Sequence, residues 1–506
     1  MIRAALLAAF SALLGGAIAL VARKRPAVLE RTRTFAFAAA AGVVAFHLLP
    51  EVLHSQGLAA LLWMAAGFAL PWALEAGARA FGPGLLHGRG FTGLRVAAEV
   101  GFAALIFHSV AEGLALVAAL AQPQGQLDLE IALVAHHAPL TAAVVLPFLE
   151  LRGPRTVAMR AAAVGASGVA GVLFSRVVPG FGEGAFLEIA TAVTAGALLH
   201  IVSDEIRAQR FGSTWERAAD LGACGAGLLV AGLSAVLHVR QQQAAGPLLE
   251  FLRVFGGIAI LSAPAVLFGV IACALLAVRT RFFRWDAFLL ALVLLGPLFA
   301  VALGALIVLF ALPLARHLTP REPGQGVLQE LVDAIRQRTP PLLALLFVAA
   351  GLEVSAPALP AHTVSMLAMA IGLLLCARLD EAGAIAVAAV LIHKGFNPGL
   401  AVAMLAIGPF TRRPLMQAMM EKSRVLWLGV VALVWVLAWQ GGLMARAAPV
   451  AGAVLTAVRD PVSAQAASSP VGAASAAVLI ALALATLWTA GVRGWFAPLR
   501  HGPRTA

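Results

Sequence analysis

The chain has 506 residues, of which 61% are hydrophobic and only 12% are charged, and its formal net charge is +12. A soluble domain needs far more charge to cover its surface, so this composition excludes an ordinary water-soluble protein. The arginines fall in short segments between apolar blocks, which is typical of cytoplasmic loops and argues against binding to nucleic acid.

Apolar blocks of about 20 residues or more follow one another along the first half, and helices of that length cross a hydrocarbon core of ~30 Å. The first block, 2–21, is followed rather than preceded by its positive cluster. It therefore predicts a transmembrane helix with an external N-terminus, not a cleavable signal peptide. Connections rich in arginine alternate with connections that carry at most one, which predicts eight spans with both ends outside. The predicted spans are 2–21, 34–54, 57–79, 95–121, 129–149, 157–178, 185–203 and 218–238.

The polar stretch 240–246 is the predicted boundary between two membrane units, 1–240 and 247–506. Blocks in the second unit raise the total to about 15 to 16 transmembrane helices, an all-α polytopic integral membrane fold. These blocks are 249–278, 286–313, 340–358, 362–378, 382–410, 425–444 and 474–492.

Ionisable residues lie within or beside the apolar blocks of the second unit, among them Glu353, Asp380, Glu381 and Lys394. The sequence KGFNPG at 394–399 interrupts what would otherwise be one long helix. Glycine and proline there predict a discontinuous span of the kind that lines a substrate path in transporters. The alternative is a cytoplasmic or re-entrant turn whose lysine reaches toward water.

Histidines and carboxylates recur in the first unit, although an ionisable group inside a bilayer costs at least a few kcal/mol. Three pairs are spaced four residues apart, so each pair shares one helix face and can present a nitrogen and an oxygen to one ion. Such ligands favour zinc, iron, manganese, nickel or cobalt over calcium or magnesium. A single membrane histidine is more often a helix–helix hydrogen-bonding residue, but four helices share this pattern. The pairs are His47–Glu51, His108–Glu112 and His200–Asp204, and a fourth helix carries His136 and His137 before Pro139.

In these residues the chain resembles the ZIP (Zrt/Irt-like) family of divalent-metal transporters over residues 1–240. HLLPE at 47–51 resembles the second-helix motif of that family, and HSVAEG at 108–113 resembles its fourth-helix His-Asn/Ser-x-Pro-Glu/Asp-Gly. HHAP at 136–139 is similar to its fifth-helix His-x-x-Pro-Glu. AGALLH at 195–200, with an acidic pair at 204–205, resembles a later helix that ends in two acids.

The resemblance implies a set of ligands and two departures from the family pattern. Ala111 stands where proline is usual, and Leu140 stands where a glutamate would bridge two ions. One bound ion rather than two, altered selectivity, or a unit that no longer transports is therefore expected. The implied core ligands are His108, Glu112 and His136, with Ser109 and His137 at a neighbouring second site. The implied entry and exit residues are His47, Glu51, His200, Asp204 and Glu205.

Residues and resemblance together predict a multi-pass transporter of the bacterial inner membrane, not an enzyme. Its substrate would be a divalent transition-metal cation, zinc first, with manganese, iron, cobalt and nickel as other candidates, and no prosthetic group is expected. The other expected partners are the lipid bilayer and, as one option, a second copy of the chain in a homodimer.

Two alternatives remain. The first unit could bind or sense metal beside a permease for another substrate, since 376–414 faintly resembles a family of predicted bacterial permeases, some of whose relatives export arsenicals. A membrane metalloenzyme is the other, although the chain contains no His-Glu-x-x-His sequence.

Overall fold

The structure is a computed structural model in which all regular elements are helical. The prediction of an all-α fold is confirmed for the residues that the structure describes. These residues are 2–23, 25–49, 59–80, 93–120, 126–175, 185–204, 211, 213–241, 246–280, 284–306, 327–355, 363–408, 424–444 and 470–501.

The chain divides into two compact units. The first comprises Met1–Leu249 with Gly491–Gly494, and the second comprises Glu250–Ala490 with Trp495–Ala506. The division falls inside the helix Gly246–Thr280, just after the polar stretch 240–246. A short segment close to the C-terminus therefore belongs to the first unit, which the sequence did not indicate.

Eight helices build the described part of the first unit, and the second of them continues into a π-helical turn at Val44–Leu48. Helix α1 packs against α5 and α6, while α4 lies against α5, α6 and α7. The helices are α1 Ile2–Ala22, α2 Pro26–Val43, α3 Ala59–Ala80, α4 Gly93–Leu120, α5 Gln126–Arg152, α6 Pro154–Phe174, α7 Ala185–Asp204 and α8 Thr214–Gln241.

Small residues let these helices approach backbone to backbone, as in other tightly packed apolar bundles. A Cβ atom added at Gly113 of α4 would lie 2.2 Å from the Gly168 carbonyl oxygen of α6. One added at Gly196 of α7 would lie 1.9 Å from the Met64 carbonyl oxygen of α3. At these crossings glycine is required because any side chain would occupy the space of the neighbouring backbone.

The segment Gly491–Gly494 is held in the first unit by charged and polar contacts. Asp220 on α8 accepts hydrogen bonds from the Thr34 hydroxyl at 2.5 Å and from the Val492 backbone N–H at 3.1 Å. The buried Arg493 guanidinium pairs with the carboxylate of Glu30 on α2. Both carboxylates are thus satisfied by residues from distant parts of the sequence.

The second unit contains two interrupted helices among its described residues. The predicted span 286–313 is wrong as a single helix, because the chain forms two ten-residue helices, α10 Trp285–Leu294 and α11 Pro297–Leu306. Gly296 between them has φ +93°, and Pro297 cannot donate a backbone hydrogen bond to the preceding turn. The predicted interruption at 394–399 is confirmed, since one helix ends at His393 and the next begins at Pro398.

The remaining helices of the second unit include one that begins well before its predicted span 340–358. In chain order these helices are α9 Gly246–Thr280, which starts at the unit boundary, α12 Val327–Ser355, α13 Thr363–Leu379, α14 Glu381–His393, α15 Pro398–Ile407, α16 Arg424–Met444, α17 Pro470–Ala490 and, after the short helix α18 Val492–Trp495 that lies mostly in the first unit, α19 Ala497–His501.

Within the described residues, five helical stretches are long and apolar enough to cross a membrane. Three of them lie in the first unit, including the helix nearest the N-terminus, and two lie in the second unit. The five are Ile2–Ala22, Leu133–Arg152, Pro154–Phe174, Glu250–Leu275 and Pro470–Ala490.

Candidate metal site

Helix α4 carries the predicted core pair on one face. The helix runs unbroken through Ala111, the position at which the sequence resemblance led us to expect a proline. His108 is buried, and its Nε2 lies 3.4 Å from Oε1 of Glu112, one turn later. Two ligands of one tetrahedral zinc lie about 3.4 Å apart when each bond is ~2.1 Å. This pair therefore has the spacing of two ligands on a common ion.

His137, on α5, is fixed by two serine hydroxyls. Ser11 Oγ lies 2.8 Å from its Nδ1, and Ser109 Oγ lies 2.8 Å from its Nε2. Ser11 donates its single hydroxyl proton to the Ala8 carbonyl at 3.1 Å, so it accepts the proton of Nδ1. In the neutral ring, Nε2 then accepts the Ser109 hydroxyl proton. A cation could reach Nε2 only by displacing that hydroxyl.

Ser11 was not anticipated from the sequence, and a close helix crossing brings it to His137. A Cβ atom at Gly15 of α1 would lie 2.4 Å from the Ala138 carbonyl oxygen of α5. Glycine at this position lets α1 rest on α5 beside His137. A hydroxyl 126 residues away in sequence leaves no periodic pattern that would have identified it.

The Glu112 carboxylate lies between the two histidines. Its Oε2 is 3.7 Å from His137 Nε2, and the two imidazole centroids are 6.5 Å apart. The structure therefore brings together four of the five predicted ligand-site residues, and the side chain of the fifth, His136, lies outside the described part. Among the described residues, no group of three or more His, Cys, Asp or Glu side chains is arranged to hold a metal ion.

Two positions on α5 shape the surroundings of this cluster. Leu140, where the sequence resemblance led us to expect a glutamate, is completely buried and places an apolar side chain there. Thr141 is also completely buried, and its Oγ1 has no hydrogen-bond partner among the described residues. In the described part of the cluster, Glu112 is therefore the one carboxylate that could balance the charge of a cation.

The predicted entry and exit residues are only partly described. His200 is buried on α7, where its Nδ1 lies 2.8 Å from the Phe68 carbonyl oxygen and its ring stands edge-on to the Phe68 ring. This contact ties α7 to α3, so a cation at His200 would bind through Nε2. The side chains of His47 and Asp204, and all of Glu51 and Glu205, lie outside the described residues.

A separate cavity of about 650 Å³ opens beside α4, α5 and α6. Glu99 in its wall pairs with Arg160 at 2.7 Å and with Arg152 at 3.2 Å. The Arg160 guanidinium also lies over the rings of Phe102 and Phe148, at 4.3 and 3.9 Å from their centroids. These contacts fix the arginine by charge and by cation–π attraction. The rest of the wall is mostly apolar.

Comparison with known proteins adds nothing to this geometry: no family model, no curated protein and no solved structure matches the chain.

Proposed function

We propose that the chain is a polytopic inner-membrane transporter whose first unit moves a divalent transition-metal cation, with zinc as the first candidate. The single observation that supports the cation site most directly is the His108–Glu112 pair, two donors at ligand spacing inside an apolar helical bundle. Ionisable groups in such surroundings are expensive and usually serve a function. The five long apolar helices support the membrane assignment.

In this proposal a cation exchanges bound water for His108 and Glu112, and the carboxylate offsets part of its charge. His137 stands beside the pair as a further nitrogen donor, available once Ser109 turns away from Nε2. Rocking of helix groups about the bound cation would then expose it to each side of the membrane in turn. The glycine crossing of α4 and α6 lies directly beside Glu112, so such motion would act on the ligand helix itself.

Uptake of zinc and manganese into proteoliposomes tests the proposal. The full chain is compared with His108→Ala/Glu112→Ala and with Glu112→Gln. Glu99→Gln is the matched control, because Glu99 lies on the same helix but pairs with Arg152 and Arg160. We expect flux in the wild type and in Glu99→Gln, and no flux in Glu112→Gln or in the double variant. Equal flux in all four proteins would refute it.

A first unit that binds metal without moving it is the second candidate function. Buried Leu140 removes one charge-balancing carboxylate, and the two serine hydroxyls already occupy both nitrogens of His137. A non-transporting site should still bind cation tightly. Binding that Glu112→Gln weakens, together with no flux in the wild type, would establish this alternative.

A further inference from the structure

Helix α14 in the second unit has a charged cluster at each end. Its first eleven residues are all buried, and with 13 residues it is only ~20 Å long, too short to cross a bilayer alone. One cluster lies where the helix begins at Glu381, and the other lies where it ends at His393. The two clusters differ in chemistry.

The cluster at the start of α14 is built on arginine. Arg284 donates to both oxygens of Asp286, at 2.8 and 2.6 Å, and to Asp380 at 2.9 Å. Arg338 adds a longer contact to Asp286, at 3.4 Å. Guanidinium groups do not release their protons in proteins, so the cations of this cluster keep their charge and hold the helices together.

The cluster at the end of α14 is built on histidine and lysine. Glu353 of α12 is 2% exposed, and its Oε2 lies 3.1 Å from His393 Nδ1. Lys394 Nζ donates to the Glu353 carbonyl at 2.6 Å and lies 3.7 Å from Oε1 of the same carboxylate. Lys394 is itself only 6% exposed. The alternative interpretation of this turn, in which the lysine reaches toward water, therefore does not describe its position. Unlike arginine, both of these bases can gain and lose protons.

This second cluster also lies at a joint in the backbone. After His393 the chain turns through Gly395, whose φ is +102°, and Asn397 then caps the next helix by accepting from the Gly399 and Leu400 N–H groups. Two short helices thus meet at the residues that contact Glu353. Movement of one helix against the other would change those contacts, and with them the affinity of the cluster for a proton.

We propose that Glu353, His393 and Lys394 form a proton-exchange site at the joint of this interrupted helix. An ionised carboxylate only accepts hydrogen bonds, so His393 Nδ1 carries the ring proton and Nε2 takes up the next one. The cluster then changes from neutral to singly positive, with the carboxylate between an imidazolium and an ammonium group. In a membrane-spanning chain, this is where a proton gradient would drive the second unit. The site depends on contacts of the second unit and is independent of metal transport by the first.

Other titratable groups on the neighbouring helices lie at the far end of α14. Glu381, on α14 itself, is twelve residues from His393, or ~18 Å along the axis. The facing helices α10 and α13 carry Asp286, Cys376 and Arg378 near that end, and α15 carries no ionisable residue. Helices α17 and α19 pack on α12; α17 has no ionisable residue, and the Arg500 and His501 side chains of α19 lie outside the described part. The charged residues of the first half of α12 (Glu330, Asp333, Arg336 and Arg338) are 15 or more positions before Glu353.

Infrared pH-difference spectra of the full chain in detergent micelles test the proposal, with the proton itself as the probe. Between about pH 5 and pH 9 the wild-type spectra should contain one component in which imidazole and carboxylate bands titrate together. That component should be missing from His393→Gln, while the bands of the other histidines remain. Glu353→Gln should lower the midpoint of the histidine bands by about one pH unit or more, a tenfold loss of proton affinity.

Glu381→Gln is the matched control and should leave the midpoint unchanged, because its carboxylate lies at the other end of the helix. Glu353→Asp keeps the charge at a greater distance and should give a smaller shift, so the test stands even if Glu353→Gln fails to fold. Spectra of His393→Gln identical to the wild type would overturn the proposal. The proposal would also be overturned if the midpoint of the histidine bands were the same in Glu353→Gln, Glu353→Asp and the wild type. The Glu353–His393 contact would then be a purely structural ion pair.

Discussion

The crossing of α4 and α6 gives the sharpest expectation for a single substitution. In Gly113→Ala, the new methyl group would lie 2.2 Å from the Gly168 carbonyl oxygen and 2.9 Å from the Val172 nitrogen. Ordinary contacts between such atoms are about 3.5 Å, so the helices must move apart by roughly 1 Å. Both obstructing atoms belong to backbone and cannot rotate away.

The free energy of unfolding should fall by about 1–2 kcal/mol. Overpacking of this kind costs ~1–3 kcal/mol, and the better helix propensity of alanine returns up to ~1 kcal/mol. Because Glu112 precedes Gly113, the same movement of α4 should displace its carboxylate from His137 on α5 and weaken cation binding as well. Both effects have one cause and should appear together.

Thermal unfolding of the purified chain in detergent, followed by tryptophan fluorescence, measures the first effect, and zinc titration measures the second. Gly225→Ala on α8 is the matched control, since no described heavy atom lies within 4 Å of its new methyl group. That variant should be as stable as the wild type or slightly more stable. A Gly113→Ala chain that behaves like the control in both assays would show that the two helices are not packed this closely.

Three further expectations concern charge. Partial burial favours the neutral acid at Glu30, but Arg493 and Arg33 together outweigh burial and hold the pKa of this carboxyl below its usual 4.5. The pairing therefore stabilises the fold above pH 4.5, and this stabilisation is lost as the pH falls through the lowered pKa. Glu30→Gln should therefore remove part of the acid sensitivity, on the order of 1 kcal/mol, seen in unfolding curves between about pH 5 and pH 3; an unchanged acid profile would contradict this. Arg284→Gln should destabilise the second unit by about 3–5 kcal/mol because it leaves buried carboxylates without their cation, and a loss below about 1 kcal/mol in chemical denaturation would contradict it. Zinc affinity should weaken between about pH 7.5 and pH 5.5 as histidines take up protons, and equilibrium dialysis showing equal affinity at both pH values would count against His108 as a ligand.

Local patterns predicted the helical class and the interruption near Lys394. Apolar blocks of sufficient length leave helices as the only spanning structure, and a Lys-Gly-Phe-Asn-Pro-Gly run cannot continue one. The break at Gly296-Pro297 also has a glycine and a proline, but no polar residues accompany them. Because apolar residues lie on both sides, the segment was predicted as one continuous span. A glycine and a proline inside an apolar block are compatible with a kinked span, so the positive φ was not specified by the block alone.

Long-range pairing was beyond what the sequence could indicate. The spacing of His108 and Glu112 predicted that they share a face, because helix geometry alone brings i and i+4 together. Nothing local connects Ser11 to His137, or Glu353 to His393, since those contacts arise from helix packing across many residues. Polar partners supplied by distant helices are therefore the part of a candidate site that sequence reasoning misses.

The place of Gly491–Gly494 in the first unit has a consequence for how the protein is made. A ribosome that has finished α8 must add about 250 more residues before Val492 and Arg493 exist, which takes roughly 10–50 s at ordinary rates of synthesis. Throughout that interval Asp220 lacks the Val492 N–H and Glu30 lacks the Arg493 guanidinium. The first unit is thus completed by residues synthesised long after its other helices, and a gene cut at the polar stretch 240–246 would encode it without them.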